Sequence, residues 1–407
     1  MTARRTRHNG EGSIFPYRNG FAAYVWVDKP DGKRGRKWVY GPTREDVHDK
    51  WIKLHGRAKT GPVPTKVPTV AEYVTYWLDE VVRPNLAPGS YVTYEVLARR
   101  HIVPGLGRRK LDKLKVQDVQ TWLNAVRVTC QCCGQGKDAG RPAGKQRCCA
   151  IGHCCREMAS AGTVIHLRRV LRTILNQAVT DELTTRNVAL HVKLPTIRKR
   201  RGSAWSSEEA RRFLESARSA RDPFYAAYVL VLVLGLRKGE VLGLAWQDVD
   251  VDAGEVAVAW QLQRVGKRLV RRETKTDTSD SVLPLPDICV TALRGRWDEV
   301  GKRESMVGPD WSGNDPVFTT GLGTPVEPRN FNRRWDQRIE AAGVPRITVH
   351  GARRTCGSLL VDLDVHPRVA MQILRHAQFS ITMEIYSQVS SKATRDALKR
   401  LGEVLDR

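Results

Sequence analysis

Two segments unable to pack into a core cut this chain of 407 residues into pieces. "TGPVPTKVPT", Thr60 to Thr69, repeats proline, which removes backbone donors and fixes φ, and so reads as a linker. "LPTIRKRRGS", Leu194 to Ser203, is a second and strongly basic one. Three units follow: residues 1–60, 69–195 and 203–407. The formal net charge of +25 favours a polyanionic partner, because clustered Lys and Arg release counterions from nucleic acid. Charge alone leaves open a ribosomal-type or merely soluble basic protein. A basic connector between two helical units suits a clamp that closes round a duplex.

"MTARRTRHNGEG" is charged and lacks the apolar stretch of a signal peptide. The longest apolar run, "FYAAYVLVLVLGL" from Phe224 to Leu236, falls short of the roughly 20 residues that span a bilayer and reads as a buried helix. Nine cysteines without an export signal argue against a disulfide framework. A cytoplasmic protein of the bacterial nucleoid, with no membrane partner, is expected.

In the first unit three strand-like runs, Ser13 to Tyr17, Phe21 to Val27 and Arg36 to Tyr40, precede a helix over Thr43 to Ala58 with Thr43 as N-cap. A sheet edged by Arg18, Arg34, Arg36 and Lys37 fits a DNA groove, as β-sheet readers do, or is a solvated basic face. The second unit carries helix patterns at Val70 to Val82, Ser90 to His101, Val116 to Val126 and Ala161 to Asp181. The predicted fold class is therefore mainly α with small β-sheets (α+β), arranged as a multidomain DNA clamp.

Residues 129–156 fit no helix. They hold Cys130, Cys132, Cys133, Cys148, Cys149, Cys154 and Cys155, with His153 beside the last pair. Paired thiolates flanking a Gly-rich loop are what a structural zinc site uses, four ligands closing a tetrahedron. The spacing matches no standard finger, and a flexible reduced loop is the alternative. A bound metal would staple an insertion that cannot bury a core; catalysis does not require it.

In the third unit, Arg237 follows the buried helix in "GLRKGEVLGLAW", with Glu240 one turn on. Lys275 sits in the loop before a final strand at Val282 to Leu285, where it either reaches a neighbouring cleft or is a surface lysine. In "TVHGARRTCGSLLVDL", Ala352, Cys356, Leu359, Leu360 and Leu363 make one helical stripe. His350 and Arg353, three apart, project to the same side beside it. Val369, Ala370, Ile373 and Leu374 form a further stripe on a helix that His376 ends. Ile381, Ile385 and Val389 form an i, i+4, i+8 line, and Tyr386 lies about one hundred degrees off it. Each residue alone also suits an ordinary structural role.

Together, two arginines, a lysine, two histidines and a tyrosine are the parts that phosphoryl transfer to a protein hydroxyl needs. Two guanidiniums neutralise the nonbridging oxygens as charge grows, a lysine protonates the departing oxygen, and a histidine takes or holds the phenolic proton. No metal is obligatory.

The ordered motifs "GLRKGEVLGL", "TKTDTSDSVLPL", "HGARR" and "LRHAQFSITMEIYSQV" resemble the catalytic domain of tyrosine recombinases of the phage-integrase family, the type encoded by actinobacterial prophages and integrative elements. Upstream, the helical unit resembles the family's core-binding domain and the β unit its arm-binding domain; the cysteine insertion lies outside the resemblance. Ala352, Arg354 and Arg375 depart from the family's usual leucine, histidine and glycine. The resemblance implies site-specific strand exchange through a 3′-phosphotyrosyl link to Tyr386. In it Arg237 and Arg353 bind the phosphate, Lys275 is general acid, His350 general base or positioning group, and His376 a donor to the phosphate. It further implies a homotetramer on double-stranded core-type and arm-type attachment sites, no cofactor for catalysis, and an excisionase or DNA-bending protein as further partner. The C-terminal segment "SSKATRDALKRLGEVLDR" is expected to form a helix that docks on a neighbouring subunit or folds back on its own domain. Alternatives are a chromosome-dimer resolvase, a type IB topoisomerase-like nicking-closing enzyme, and a catalytically dead repressor that keeps the fold.

Overall fold

The computed structural model describes residues 14–28, 32–61, 67–196, 203–274, 281–313, 315–375 and 378–386, with the side chains of 60, 381, 384 and 385 excepted. Lys275, His376 and the expected C-terminal helix lie outside these residues. The chain divides into two compact units, 1–198 and 199–407; the first contains both the β module and the helical unit expected upstream.

The β module is an antiparallel sheet in the order β1 (Phe15–Tyr17), β2 (Gly20–Asp28), β3 (Arg34–Gly41), followed by a helix over Arg44–Thr60. Alternation along β2 turns Ala23, Val25 and Val27 inward, where they are buried with Val47 and Leu54 of the helix. Trp51 Nε1 donates to the Tyr24 carbonyl at 3.1 Å. Thr43 caps the helix by accepting from Asp46 N. The opposite face carries Trp26, Trp38 and Tyr40, all exposed. Register pairs Tyr24 with Trp38 and Trp26 with Arg36. Lys37, paired with buried Val25, lies on the face turned to the helix, so it does not share the exposed face with Arg34 and Arg36.

The helical unit packs Val70–Tyr76, Pro88–Leu97, Val116–Val128 and Ala161–Thr180 round a core that includes Trp77, Leu78, Ile102, Leu123, Leu167 and Leu171. Thr69 and Glu72 form a reciprocal capping box at its start. Tyr73 Oη donates to Asp181 Oδ2 at 2.6 Å, tying the first helix to the end of the last. The helices expected as single runs from Val70 and from Ser90 are interrupted: Trp77–Val82 and Ala98–Ile102 are wound as π-helix. Proline follows each segment by two residues, Pro84 and Pro104. A proline ring crowds the carbonyl four residues back and supplies no N–H, so the preceding turn widens.

In the second unit the apolar helix Tyr225–Val233 is the hub. It packs against Ser207–Ser219, Asp287–Val307 and Val349–Asp362. Two small antiparallel assemblies lie beside it: β4 (Val249–Asp250), β5 (Glu255–Val258) and β8 (Ser281–Pro284) in the order β4-β5-β8, and the hairpin β6 (Trp260–Val265)–β7 (Arg268–Glu273). Trp205, Phe213, Tyr228 and Trp335 interlock, with 4.6 Å between the Phe213 and Trp335 ring centroids. The helices Val349–Asp362, Pro367–Leu374 and Phe379–Tyr386 pack on one another. Mainly helical content with small antiparallel sheets is the fold class expected from the sequence.

Candidate active site and cysteine cluster

Gly235 ends the apolar hub with φ +60°, and a Cβ there would lie 2.6 Å from Leu374 Cδ2 and 3.3 Å from Cys356 Sγ. Only glycine allows both the left-handed turn and this approach. The turn delivers Arg237 to the N-cap of the helix Lys238–Gly243. There its backbone N–H and its Nη1 donate to Glu240, at 2.8 and 2.6 Å, and its Nη2 donates to the Arg375 carbonyl at 3.2 Å.

Arg353 is buried, contrary to the expected place beside the apolar stripe; Leu363, expected within that stripe, is exposed. The reason is that Arg353 faces the chain crossing behind Gly235. Its Nη1 donates to the Gly235 carbonyl at 2.5 Å and its Nη2 to the Leu374 carbonyl. The guanidiniums of Arg237 and Arg353 thus meet at the consecutive carbonyls of residues 375 and 374. Burial, aided by Arg237 and Arg375, pulls Arg353 down to about 9.

Arg375 caps the helix Pro367–Leu374 in the left-handed region, φ 50°. That conformation favours glycine. Its buried side chain donates from Nη2 to Glu240 Oε2 at 2.7 Å and from Nη1 to the Ile373 carbonyl, while its buried Nε has no hydrogen-bond partner among the described residues. Burial by itself would raise the Glu240 carboxyl, but Arg375 and Arg237 hold it below the usual carboxylate range. Two guanidiniums therefore share one carboxylate. Glu240 was legible as the Arg237 partner; the arrival of Arg375 on its other oxygen was not.

His350 stands exposed in the first turn of Val349–Asp362, behind the N-cap Thr348. Partial desolvation, then Arg353, Arg354 and Arg237, keep its imidazole below the ordinary range. Tyr386 ends the helix Phe379–Tyr386, and its Oη donates to the Val365 carbonyl at 2.5 Å. Desolvation raises its phenol. The structure brings Arg237, Arg353, Glu240 and Arg375 together; Tyr386 is engaged at the turn between the two helices that carry Arg353 and lead to Arg375.

The insertion is not wholly irregular: Gln131–Gly134 form one helical turn, and Ala143–Lys145 and Cys149–Ile151 two 3₁₀ turns. An antiparallel bridge between Cys130 and Met158 closes its neck. Two groups of thiols gather within 4.8 Å: Cys130, Cys133, Cys148 and Cys154, and Cys132, Cys148 and Cys155. Sγ atoms of Cys130 and Cys148 are 4.0 Å apart, Cys130 and Cys155 3.7 Å, and Cys133 and Cys148 3.2 Å. Zn–S bonds of about 2.3 Å at tetrahedral angles place sulfurs about 3.8 Å apart, so this donor set fits zinc. Cys149 and His153 are exposed and belong to neither group.

Sequence reasoning missed Asp138, which is fully buried. Its carboxylate accepts from Arg147, Cys148 and Ala150 N–H groups and from Arg141 Nη1. Burial opposes ionisation, yet these donors hold the carboxyl at about 2. An Asp three residues before an Arg inside the cysteine spacing was the available signal.

On the β module, Arg36 Cζ lies 4.7 Å from the Trp26 ring centroid and 4.9 Å from that of Tyr24. The exposed face is thus aromatic and cationic together.

Comparison with known proteins supports a common ancestry over both units. The profile of the Phage integrase family matches residues 205–393, and that of the Phage integrase, N-terminal SAM-like domain, matches 69–126. A tyrosine recombinase XerC-like protein of Caldanaerobacter subterraneus is 26% identical over 395 residues, covering 92% of this chain and 93% of its own. An integrase of Streptomyces ambofaciens is 27% identical, covering 88% and 86%. The fold is that of the Tn1549 transposon integrase seen in complex with a circular intermediate DNA: TM-score 0.63, 18% identity, 82% of this chain and 99% of that one. Lambda integrase bound to a core site aligns with TM-score 0.51 at 15% identity, over 94% and 96%.

Proposed function

Because the chain belongs to the phage-integrase family of tyrosine recombinases and is a site-specific recombinase acting on DNA, we propose that it integrates or excises a mobile element at attachment sites through a 3′-phosphotyrosyl link to Tyr386. The observation that carries the assignment of residues is the meeting of Arg237 and Arg353 at consecutive carbonyls, with Arg375 behind them and Glu240 as a counter-charge shared by Arg237 and Arg375. Such a cationic excess is relieved by a phosphodiester. Each terminal guanidinium nitrogen of Arg353 carries two hydrogens, so its bond to a carbonyl leaves a donor for a nonbridging oxygen.

In the proposed step the Tyr386 oxygen attacks phosphorus and the bond from phosphorus to the 5′ oxygen breaks. Lys275 gives that oxygen a proton, while His350 takes or orients the phenolic one. His376 donates to the phosphate. The released 5′-hydroxyl of one strand then attacks the phosphotyrosine of its partner, restoring the phenol. One ester replaces another, so no ATP is needed. Tyr386 must leave the Val365 carbonyl to reach phosphorus.

The helical unit is assigned to core-type sites. The β module, with Arg34 and Arg36 over exposed aromatics, is assigned to arm-type sites. A homotetramer on paired sites, an excisionase or DNA-bending partner and a nucleoid location complete the proposal. A structural zinc held by Cys130, Cys133, Cys148 and Cys154 staples the insertion. A nicked suicide substrate tests the central step. The expected result is a covalent protein–DNA adduct that disappears in Tyr386→Phe; an adduct that persists there contradicts the assignment.

A further inference from the structure

The two thiol groups overlap, and one tetrahedral ion cannot satisfy both. Cys148 belongs to each. Cys130, in the first group, also lies against Cys155 of the second at 3.7 Å. A single zinc closed by Cys130, Cys133, Cys148 and Cys154 would leave Cys132 and Cys155 uncommitted, although Cys132 is fully buried and receives Arg141 Nη1 at 3.6 Å. A guanidinium aimed at a buried sulfur suits a thiolate better than a neutral thiol.

Two tetrahedra sharing an edge need six ligands, two of them shared. We infer that the insertion holds two zinc ions in one thiolate cluster, with Cys130 and Cys148 as bridges, Cys133 and Cys154 completing one ion and Cys132 and Cys155 the other. The 4.0 Å between the two bridging sulfurs is close to the edge of about 3.8 Å that such a tetrahedron requires. Cys148 is the best supported bridge: the Cys155 N–H donates to its sulfur at 3.2 Å, and Asp138 fixes its backbone. Six thiolates outweigh two divalent ions, and Arg141 over Cys132 offsets part of that excess. Cys149, exposed and outside both groups, is the cysteine left over.

The inference rests on the proposal that the insertion binds zinc, and stoichiometry separates the two. The test is metal analysis of the full chain, purified under reducing conditions with zinc supplied and excess removed, alongside X-ray absorption at the zinc edge. The expected result is two zinc per chain, an all-sulfur shell and a zinc–zinc scattering vector. Cys132→Ser/Cys155→Ser is expected to fall to one zinc, and Cys149→Ser to keep two. One zinc in the unmodified chain with no zinc–zinc vector overturns the binuclear cluster and leaves the single structural site standing. Zinc well below one equivalent overturns both. The unmodified chain decides between these outcomes even where a serine variant fails to fold.

Discussion

Glu240 is the counter-charge on which the arginine cluster turns. Buried between Arg237 and Arg375, it leaves both guanidiniums without their carboxylate when neutralised. Breaking a buried pair from one side costs about 3 to 5 kcal/mol, so Glu240→Gln is expected to lower the unfolding free energy by about 3 kcal/mol in denaturant titration. The same group fixes a pH dependence. Its folded pKa lies below the unfolded value of about 4.3, so its contribution is complete above that value and lost as pH falls through the lower folded one. Thermal unfolding followed down from pH 6 is expected to show a steeper loss in the wild type than in Glu240→Gln. Gly235 makes a separate case at this scale. Ala there meets both a left-handed φ and Leu374, and a loss of about 2 to 3 kcal/mol is expected, with slower DNA cleavage because Arg353 leans on the same turn. Arg237 and Arg353 could be picked out as candidate site residues from chain order and chemistry. The left-handed cap at Arg375 could not, since arginine carries no signal for φ > 0 and its Glu240 partner is 135 positions away.

At the scale of elements, the helix Phe379–Tyr386 is held in part by one hydrogen bond from the residue it presents. The Tyr386–Val365 bond is worth about 1 kcal/mol in net terms. Tyr386→Phe is therefore expected to raise amide exchange in residues 379–386 about fivefold while leaving the hub helix Tyr225–Val233 unchanged, as hydrogen-exchange mass spectrometry can read. Helix positions were largely legible, because Val116–Val128 and Ala161–Thr180 follow apolar periodicity. The π-wound turns before Pro84 and Pro104 were not, since a proline can end, kink or widen a helix and only packing decides which. Likewise the cysteine spacing suggested a metal, but not that Gln131–Gly134 would form a turn presenting Cys130 and Cys133 to Cys148.

For the whole molecule, a net charge of +25 on a site-specific recombinase acting on DNA predicts binding dominated by phosphate contacts. Log affinity for a core-type duplex is expected to fall steeply with log salt, by about 0.9 per phosphate neutralised, in a fluorescence anisotropy series; a flat response contradicts phosphate-dominated binding. Arg36→Ala is expected to weaken binding to an arm-type duplex and leave core-type binding within twofold. The direct test of the account replaces the charged scissile phosphate with a neutral methylphosphonate and measures covalent cleavage by wild type and Arg353→Ala. If Arg237 and Arg353 act by neutralising the nonbridging oxygens of the phosphorus that Tyr386 attacks, the Arg353→Ala penalty shrinks by at least an order of magnitude on the neutral substrate. An equal penalty on both substrates contradicts that geometry.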